Sequence, residues 1–163
     1  MNSLAATDVH ARASAFLYLE GSLIDAREWD AWESLYASDG IYWIPSSARQ
    51  QDAINHVSIA HDNQLLRRIR VQRLKDSDGT SLSGIPSSSH HISNVSVVVH
   101  EDGGLTVRSR LIVAQSTPSG IDTFYASCTH ILRDLGEGDF RIALKQIDLL
   151  GVEHPIGDIL TIL

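Results

Sequence analysis

The amino-acid sequence predicts an α+β fold in which N-terminal helices pack into the concave face of one strongly curved antiparallel or mixed β-sheet. Apolar residues recur at helical spacing mainly within 8–75, and they alternate with polar residues, as in strands, over 90–150. Turn-forming segments rich in glycine separate the alternating stretches. Because 163 residues is the length of one ordinary domain, we expect 1–163 to fold around a single core.

Composition excludes several classes of protein. A net charge of -7 argues against a nucleic-acid-binding surface, which normally carries clustered positive charge. The single cysteine, Cys128, excludes an intrachain disulfide and a zinc or iron–sulfur site built from thiolates of this chain. No signal peptide and no apolar run of about 20 residues is recognisable, so we expect no membrane segment and a cytoplasmic location.

A first helix is predicted from about 8 to 26, with Thr7 and Asp8 as capping residues. Its apolar stripe would consist of Val9, Ala13, Phe16, Leu17, Leu23 and Ile24. Glu20 lies on the same stripe and is expected to face inward. Such a carboxylate either meets a partner at the helix edge or takes part in catalysis.

A second, short helix is indicated by the spacing of two indoles and their neighbours, namely Trp29, Trp32, Leu35 and Tyr36. The letters "SDG" then predict a turn, and 41–44 a short strand that Pro45 ends. The polar run 46–52 is expected to be a surface loop.

A third helix is predicted for "HDNQLLRRIRVQRL", with Asp62 or Asn63 as its cap. Its apolar side would consist of Leu65, Leu66, Ile69 and either Val71 or Leu74. The segment also carries five basic residues, which are Arg67, Arg68, Arg70, Arg73 and Lys75. They form either a solvated helix face or a contact for an acidic partner.

Four strands are predicted after a Ser/Gly-rich loop at 76–89. The first would place Val95, Val97 and Val99 on one face, and Asn94, Ser96, Val98 and His100 on the other. After the turn "EDGG", the second would place Leu105, Val107, Leu111 and Val113 opposite Thr106, Arg108 and Arg110.

The third strand follows the turn "TPSG", and its inward face would carry Phe124, Ala126, Cys128, His130 and Leu132. After the turn "LGEGD", the fourth would place Phe140, Ile142 and Leu144 opposite Arg141 and Lys145. The apolar ending "GDILTIL" is expected to dock on this protein or on a neighbour.

The histidines at 90–100 do not form a metal site by themselves. His90 and His91 point to opposite faces of a strand, and His90 and His100, which share a face, are about 33 Å apart in an extended strand. His61 and Asp62 form a possible acid–base couple, although helix capping by Asp62 explains the carboxylate more simply. His130 is either a hydrogen-bonded core residue or a side chain that lines a cavity.

Four segments, taken together, resemble the small (beta) subunits of aromatic-ring-hydroxylating, Rieske-type dioxygenases. They are "FLYLEGSLIDAREWDAWESLYASDGIYWIP", "HDNQLLRRIRVQRL", "HHISNVSVVV" and "FYASCTHILRDLGEGDFRIALKQIDL", in the order that the family has them. The resemblance implies a cone of curved sheet around helices, a fold that is cystatin-like or nuclear transport factor 2-like.

The resemblance also implies a division of labour. The large (alpha) subunit would hold the Rieske [2Fe–2S] cluster and the mononuclear Fe(II), in an assembly of three large chains around a homotrimer of small ones. This chain would then be a structural subunit without catalytic, cofactor-binding or metal-binding residues. Five basic strand residues would form intersubunit ion pairs or the solvated side of the sheet, namely Arg108, Arg110, Arg133, Arg141 and Lys145.

A second hypothesis is a stand-alone enzyme of the same fold, a dehydratase or isomerase with its pocket between helices and sheet. Its acid–base residues would be Tyr42, Asp62, His91 and His130. A third is a non-catalytic protein that binds a small ligand in that cavity. Both require an open pocket, whereas a structural subunit tolerates a filled interior.

Overall fold

The computed structural model describes residues 3–50, 52–80, 87–136 and 139–163. Its elements are α1 (Ser3–Asp25), α2 (Trp29–Ser34), β1 (Tyr36–Pro45), β2 (Ser58–Asp62), α3 (Gln64–Thr80), β3 (Ser88–Val99), β4 (Leu105–Thr117), β5 (Gly120–Asp134) and β6 (Phe140–Leu149). The strands form one sheet in the order β2-β1-β6-β5-β4-β3. Among the strand pairs of the described residues, only β1–β6 is parallel, so the sheet is mixed and the predicted α+β class is confirmed.

Helix α1 packs against the sheet through the predicted stripe, in which Ala13, Leu17 and Ile24 are completely buried. The helix begins at Ser3, so Thr7 and Asp8 lie within it and the predicted cap is wrong. Glu20 faces inward as predicted. Of the helices in the described part of the chain, none combines the length and apolar composition that crossing a bilayer requires.

Strand β1 begins at Tyr36 rather than at 41, because the "SDG" segment lies inside the strand as an irregularity in its pairing with β6. A side chain at Gly40 would collide with the carbonyl oxygen of Ile142, which explains the glycine. In the following loop, Gln50 is buried and accepts a hydrogen bond from the backbone of Ser46. Strand β2 then forms, which was not predicted.

Of the two predicted caps of α3, the Asn63 alternative is confirmed, whereas the predicted apolar side is correct only in part. Asp62 is the last residue of β2, and Asn63 is the cap, with its Oδ1 accepting from the Leu66 amide at 3.1 Å. Of the predicted apolar side, Val71 is buried and Leu74 partly buried as expected. The other members are exposed, namely Leu65, Leu66 and Ile69, and Arg67 is buried instead. The helix continues through 76–80, and residues 81–86 of the predicted loop lie outside the described residues.

A β-bulge in β3 reverses the predicted faces of half the strand. The register with β4 shifts between Ser93 and Ser96, and Asn94 has φ 53. His90 and Ile92 therefore face α1 before the bulge, and Val95 and Val97 face it afterwards. Because the alternation changes at the bulge, His90 and His100 do not share a face as predicted.

A second irregularity has the same effect in β6. Leu132 pairs with Ile142 and Ile131 with Leu144, so Ala143 is an additional residue in β6. From there on, Lys145 and Ile147 are the buried residues, and the predicted outward position of Lys145 is wrong. The predicted inward faces of β4 and β5 are confirmed. In the turn before β6, residues 137–138 lie outside the described residues.

The last residues return to the concave face of the sheet, where Ile162 and Leu163 are completely buried. The backbone amide of Leu163 donates to the Tyr42 hydroxyl at 3.2 Å, and the Leu160 amide donates to Gln115 Oε1 at 3.0 Å. The expectation that the apolar ending docks is confirmed, and the surface it docks on belongs to this chain.

Candidate functional site

A charged cluster lies between α1 and the sheet, where Glu20 faces strands β5 and β6. Glu20 Oε2 is 3.0 Å from His130 Nε2, and Glu20 Oε1 accepts a hydrogen bond from Lys145 Nζ at 2.9 Å. The indole of Trp32 donates to the same Oε1 at 3.2 Å. All three charged or titratable side chains are nearly inaccessible to solvent. The cluster therefore joins α1, α2, β5 and β6 inside the core.

The charges in this cluster are balanced. Burial alone would raise the pKa of the Glu20 carboxyl, but Lys145 and His130 outweigh it and hold that pKa far below its ordinary value. Glu20 is thus a carboxylate with three donors, as a buried charge requires. The Nδ1 atom of His130 is buried and has no hydrogen-bond partner in the described part of the chain.

The space beside the cluster is small. The cavity that Glu20, His130 and Lys145 line has a volume of about 10 Å³, room for roughly one water molecule. Cys128 also lines it, and burial raises the pKa of its thiol to about 12. The cluster thus has the residue types of an acid–base site but no room for an organic substrate.

A second polar group joins β1, β2 and α3. Tyr42 and Asp62 are cross-strand partners, and Arg70 Nε donates to Asp62 Oδ2 at 2.6 Å. Burial raises the pKa of the Tyr42 hydroxyl well above its ordinary value. That hydroxyl also accepts a hydrogen bond from Leu163, so the residues at the end of the described chain cover it.

The four residues of the acid–base hypothesis occupy three different places. Tyr42 and Asp62 are neighbours, and His130 belongs to the Glu20 cluster instead. His91 is exposed on the opposite face of the sheet, where its Nε2 is 3.1 Å from Ser89 Oγ. His61 and Asp62 point to opposite faces of β2, His61 exposed and Asp62 buried.

His90 was missed as a structural centre. Its Nδ1 is 2.6 Å from Asp25 Oδ1 at the end of α1, and its Nε2 is 3.1 Å from the carbonyl oxygen of Ile162. Burial alone would raise the pKa of Asp25, but the hydrogen bonds from His90 and from Ser88 lower it. Nothing local in the sequence indicates this contact, because 65 residues separate Asp25 from His90.

Arg67 is a buried cation held by main-chain oxygens. Its Nη1 donates to the carbonyl oxygen of Gly40, and its guanidinium lies 4.2 Å from the ring centre of Tyr36. Glu33 Oε1 is 3.6 Å from its Nη2. Burial lowers the pKa of Arg67, although a guanidinium stays charged. Arg67 therefore fastens α3 to β1.

No metal site is apparent in the ranges that the structure describes, since no group of three or more His, Cys, Asp or Glu side chains there is arranged to hold an ion. The basic strand residues divide into two sets. Arg133 binds Asp39 at 2.6 and 2.8 Å, Arg141 binds Asp139, and Lys145 binds Glu20. Arg108 and Arg110 are exposed on the outer face and have no carboxylate partner among the described residues.

Comparison with known proteins identifies relatives over most of the chain. The family model for the ring hydroxylating beta subunit matches residues 19–152. The anthranilate 1,2-dioxygenase small subunit of Acinetobacter baylyi is 30% identical, and the alignment covers 88% of this chain and 90% of that one.

Solved structures agree with the sequence comparison. The beta subunit of the benzoate 1,2-dioxygenase of Burkholderia mallei is 25% identical, with a TM-score of 0.75 over 91% of this chain and 93% of that chain. A naphthalene 1,2-dioxygenase structure has a TM-score of 0.82, covering 100% of this chain and 88% of the other. At 18% identity, this second likeness concerns the fold alone.

Proposed function

The chain belongs to the ring hydroxylating beta subunit family, and from this we propose that it acts as the small subunit of a multicomponent aromatic-ring-hydroxylating dioxygenase. Its contribution is structural: it supports the assembly that dihydroxylates an aromatic compound, and the chemistry takes place in a large subunit. The proposal assigns no catalytic, cofactor-binding or metal-binding residue to this chain.

The observation that carries this proposal is the filled interior of the sheet. The cavity at Glu20, His130 and Lys145 has about 10 Å³, whereas sites for small molecules usually need about 300 Å³ or more. Ile162 and Leu163 are buried on the same concave face. An interior of this kind supports a rigid scaffold rather than a substrate pocket.

The buried polar contacts explain how the scaffold keeps its shape. The Glu20 cluster fixes α1 to β5 and β6, Arg67 fixes α3 to β1, and His90 joins α1 to β3 and to the last residues. Each contact orients an element that hydrophobic burial alone positions less specifically. The outer face of the sheet then remains for partner chains.

We place the metal chemistry of the complex in the large subunit, which would carry a Rieske [2Fe–2S] cluster and a mononuclear Fe(II). A Rieske cluster requires two cysteines and two histidines, and this chain has one cysteine, which is buried. The proposed assembly has three large and three small chains in the cytoplasm.

Two of the relatives are subunits of an anthranilate 1,2-dioxygenase and of a benzoate 1,2-dioxygenase. We therefore propose an aromatic carboxylic acid as the substrate class.

Co-expression with a large subunit of this class tests the proposal. Native mass spectrometry should find equal numbers of the two chains, and the large subunit expressed without this chain should lose solubility or Rieske absorbance. Metal analysis of the purified small chain should find no stoichiometric iron. A large subunit that assembles and turns over benzoate equally well without this chain would contradict the proposal.

The stand-alone enzyme is the second candidate, and the contact between His130 and Glu20 is the observation in its favour. An acid–base pair of this type suits dehydration or isomerisation. It would require the concave face to open by displacement of Ile162 and Leu163. Turnover of a hydroxylated aromatic substrate by the purified chain, lost in His130→Gln, would establish this candidate instead.

A further inference from the structure

The segment 158–163, which we name the strap, lies across the concave face of the sheet. It belongs to no helix or strand, yet Ile162 and Leu163 within it are completely buried. Because the strap has no backbone ladder to hold it, its position depends on apolar burial and on hydrogen bonds from side chains of the sheet.

The first half of the strap has a fixed anchor on β4. The side-chain amide of Gln115 donates to the carbonyl oxygen of Asp158, and Gln115 Oε1 accepts from the Leu160 amide at 3.0 Å. Gln115 is itself buried. A carboxamide does not titrate, so we expect this anchor to be independent of pH.

The second half of the strap is held at one peptide group. The carbonyl oxygen of Ile162 lies 3.1 Å from His90 Nε2. The Leu163 amide, which belongs to the same peptide group, donates to the Tyr42 hydroxyl at 3.2 Å. His90 is on β3, at one edge of the sheet, and Tyr42 is on β1, next to the other edge. This peptide group therefore bridges the two sides of the curved sheet.

Both ring nitrogens of His90 face acceptors. Nδ1 lies 2.6 Å from Asp25 Oδ1, and Nε2 faces the carbonyl oxygen of Ile162. Burial raises the pKa of the Asp25 carboxyl, but hydrogen bonds from His90 and Ser88 outweigh it and lower that pKa, so Asp25 is an ionised acceptor. Only a ring with a proton on both nitrogens, the imidazolium, can donate to both oxygens.

We propose that the strap is a pH-dependent lid, whose second half the imidazolium form of His90 holds closed and which opens when the ring loses a proton. The remaining proton stays on Nδ1, because the hydrogen bond to the Asp25 carboxylate is the stronger one. Nε2 then presents a lone pair to the Ile162 carbonyl oxygen, and two acceptors repel each other. The contact is therefore complete at low pH and is lost as the pH rises.

The other titratable groups that face His90 line the small cavity beside it. They are Glu20 of α1, Cys128 and His130 of β5, and Lys145 of β6. Glu20 and Lys145 bind each other, and burial raises the pKa of the Cys128 thiol to about 12. From β4, only the neutral Ser109 and Leu111 line the cavity. His130 is thus the second imidazole that a test has to distinguish from His90.

Opening of the strap would uncover the interior of the sheet. The Tyr42 side chain beneath Leu163 is 1% exposed while the strap is closed. Burial raises the pKa of the Tyr42 hydroxyl well above its ordinary value, so this contact does not titrate near neutral pH. The inference goes beyond the proposed function and does not depend on it, because every group involved belongs to this chain.

Hydrogen exchange of assigned backbone amides, followed by NMR in the purified full-length chain from about pH 5 to about pH 8, tests the inference. Ring-nitrogen signals of His90 and His130 are recorded in the same samples. After correction for the intrinsic exchange rate, the protection of the Leu163 amide should fall about tenfold or more as His90 loses its proton. The Leu160 amide, which Gln115 binds, should keep its protection and serves as the internal control.

Three variants of the full-length chain sharpen the test. His90→Gln should abolish the pH dependence of Leu163 protection. Asp25→Asn keeps the imidazole but removes the anion that favours its charged form, so the strap should open at lower pH. His91→Gln is the matched control, because His91 is the next residue and is exposed on the opposite face. It should behave as the wild type does.

Three results would overturn the inference. The first is Leu163 protection that stays constant while the His90 ring loses a proton. The second is a ring that keeps both protons, with the strap closed, up to about pH 8. The third is an opening that follows the titration of His130, or one that His91→Gln changes as much as His90→Gln does. None of these results concerns a large subunit, so each would leave the proposed function intact.

Discussion

Glu20 and His130 are 110 positions apart in the sequence, and their side chains meet at 3.0 Å inside the protein. Lys145 completes the contact by donating to the other carboxylate oxygen. In an enzyme of similar fold, a carboxylate and an imidazole on the concave face could serve as base and acid. Here they lie beside a cavity for about one water molecule, and their contacts join α1 to β5 and β6.

Removing the cation of this cluster should destabilise the protein strongly. Lys145→Met leaves the Glu20 carboxylate buried without its cation, and we expect the free energy of unfolding to fall by about 3–5 kcal/mol. Urea denaturation followed by circular dichroism measures the loss. The double variant Glu20→Gln, Lys145→Met removes both charges and should recover part of it.

The control for this prediction is an ion pair on the surface. Arg133 binds Asp39 with both side chains at least half exposed. Arg133→Ala should therefore cost about 1 kcal/mol or less. If Lys145→Met cost no more than this control, the Glu20 cluster would not be the structural centre described here.

The same cluster should make stability depend on pH in the acid range. Folding lowers the pKa of Glu20 far below its ordinary value of 4.5, and it also lowers the pKa of Asp25. The unfolded chain therefore binds protons, as the pH falls below about 4.5, before the native protein does. The stabilisation from both carboxylates is complete above this pH and is lost as the pH falls through the folded values.

Urea midpoints measured from pH 7 to pH 3 test this dependence. The wild type should lose stability steadily below about pH 4.5. The double variant Glu20→Gln, Lys145→Met should lose less over the same range, because the Glu20 carboxyl, whose pKa folding lowers, is gone. Parallel slopes for the two proteins would show that other carboxylates dominate the acid dependence.

The buried arginine of α3 gives a third prediction. Arg67 is 0% exposed and donates to the Gly40 carbonyl oxygen from beneath α3. Arg67→Ala leaves buried acceptors without a donor and a hole beside Tyr36, and should cost about 3–5 kcal/mol. Arg67→Lys should recover little of this, since an ammonium lacks the planar fork.

Arg68 is the matched control for Arg67, because it is the next residue of the same helix and its side chain is 63% exposed. Arg68→Ala should change the free energy of unfolding by about 0.5 kcal/mol or less. Equal losses in the two variants would mean that burial does not determine the contribution of Arg67.

The sequence predicted the elements whose pattern is locally regular. Helix α1 keeps one helical period, and strands β4 and β5 keep one two-residue alternation, from end to end. Their inward faces therefore follow from the spacing of their apolar residues. In β3 and β6 the prediction fails at an inserted residue. The additional residue Ala143 turns Lys145 from its predicted position in solvent into the core. The bulge at Asn94 changes which residues of β3 face inward.

The site was predictable only in part, for a different reason. Glu20 and His130 were recognised as inward-facing because each lies on an apolar stripe. Their contact with each other, and the contact of Asp25 with His90, depend on the way the sheet folds over α1, which no local pattern contains. The sequence predicts Arg67 either on a solvated helix face or in a contact with an acidic partner. Its burial was not predictable, because its acceptors, the carbonyl oxygens of β1, are main-chain atoms without a sequence signal.

The last prediction separates the structural role from the catalytic one. Tyr42→Phe removes the hydroxyl that accepts from the Leu163 amide, and His130→Gln removes the imidazole beside Glu20. Each should lower the free energy of unfolding, by about 1–3 kcal/mol, because a buried group loses its partner. In the assembled dioxygenase, however, turnover per iron should remain within about twofold of the wild type, because neither side chain would touch substrate.

Counting iron in the purified complex separates loss of assembly from loss of turnover. A fall of about tenfold or more in turnover per iron, with the complex intact, would place one of these residues in the chemistry and would contradict the scaffold role.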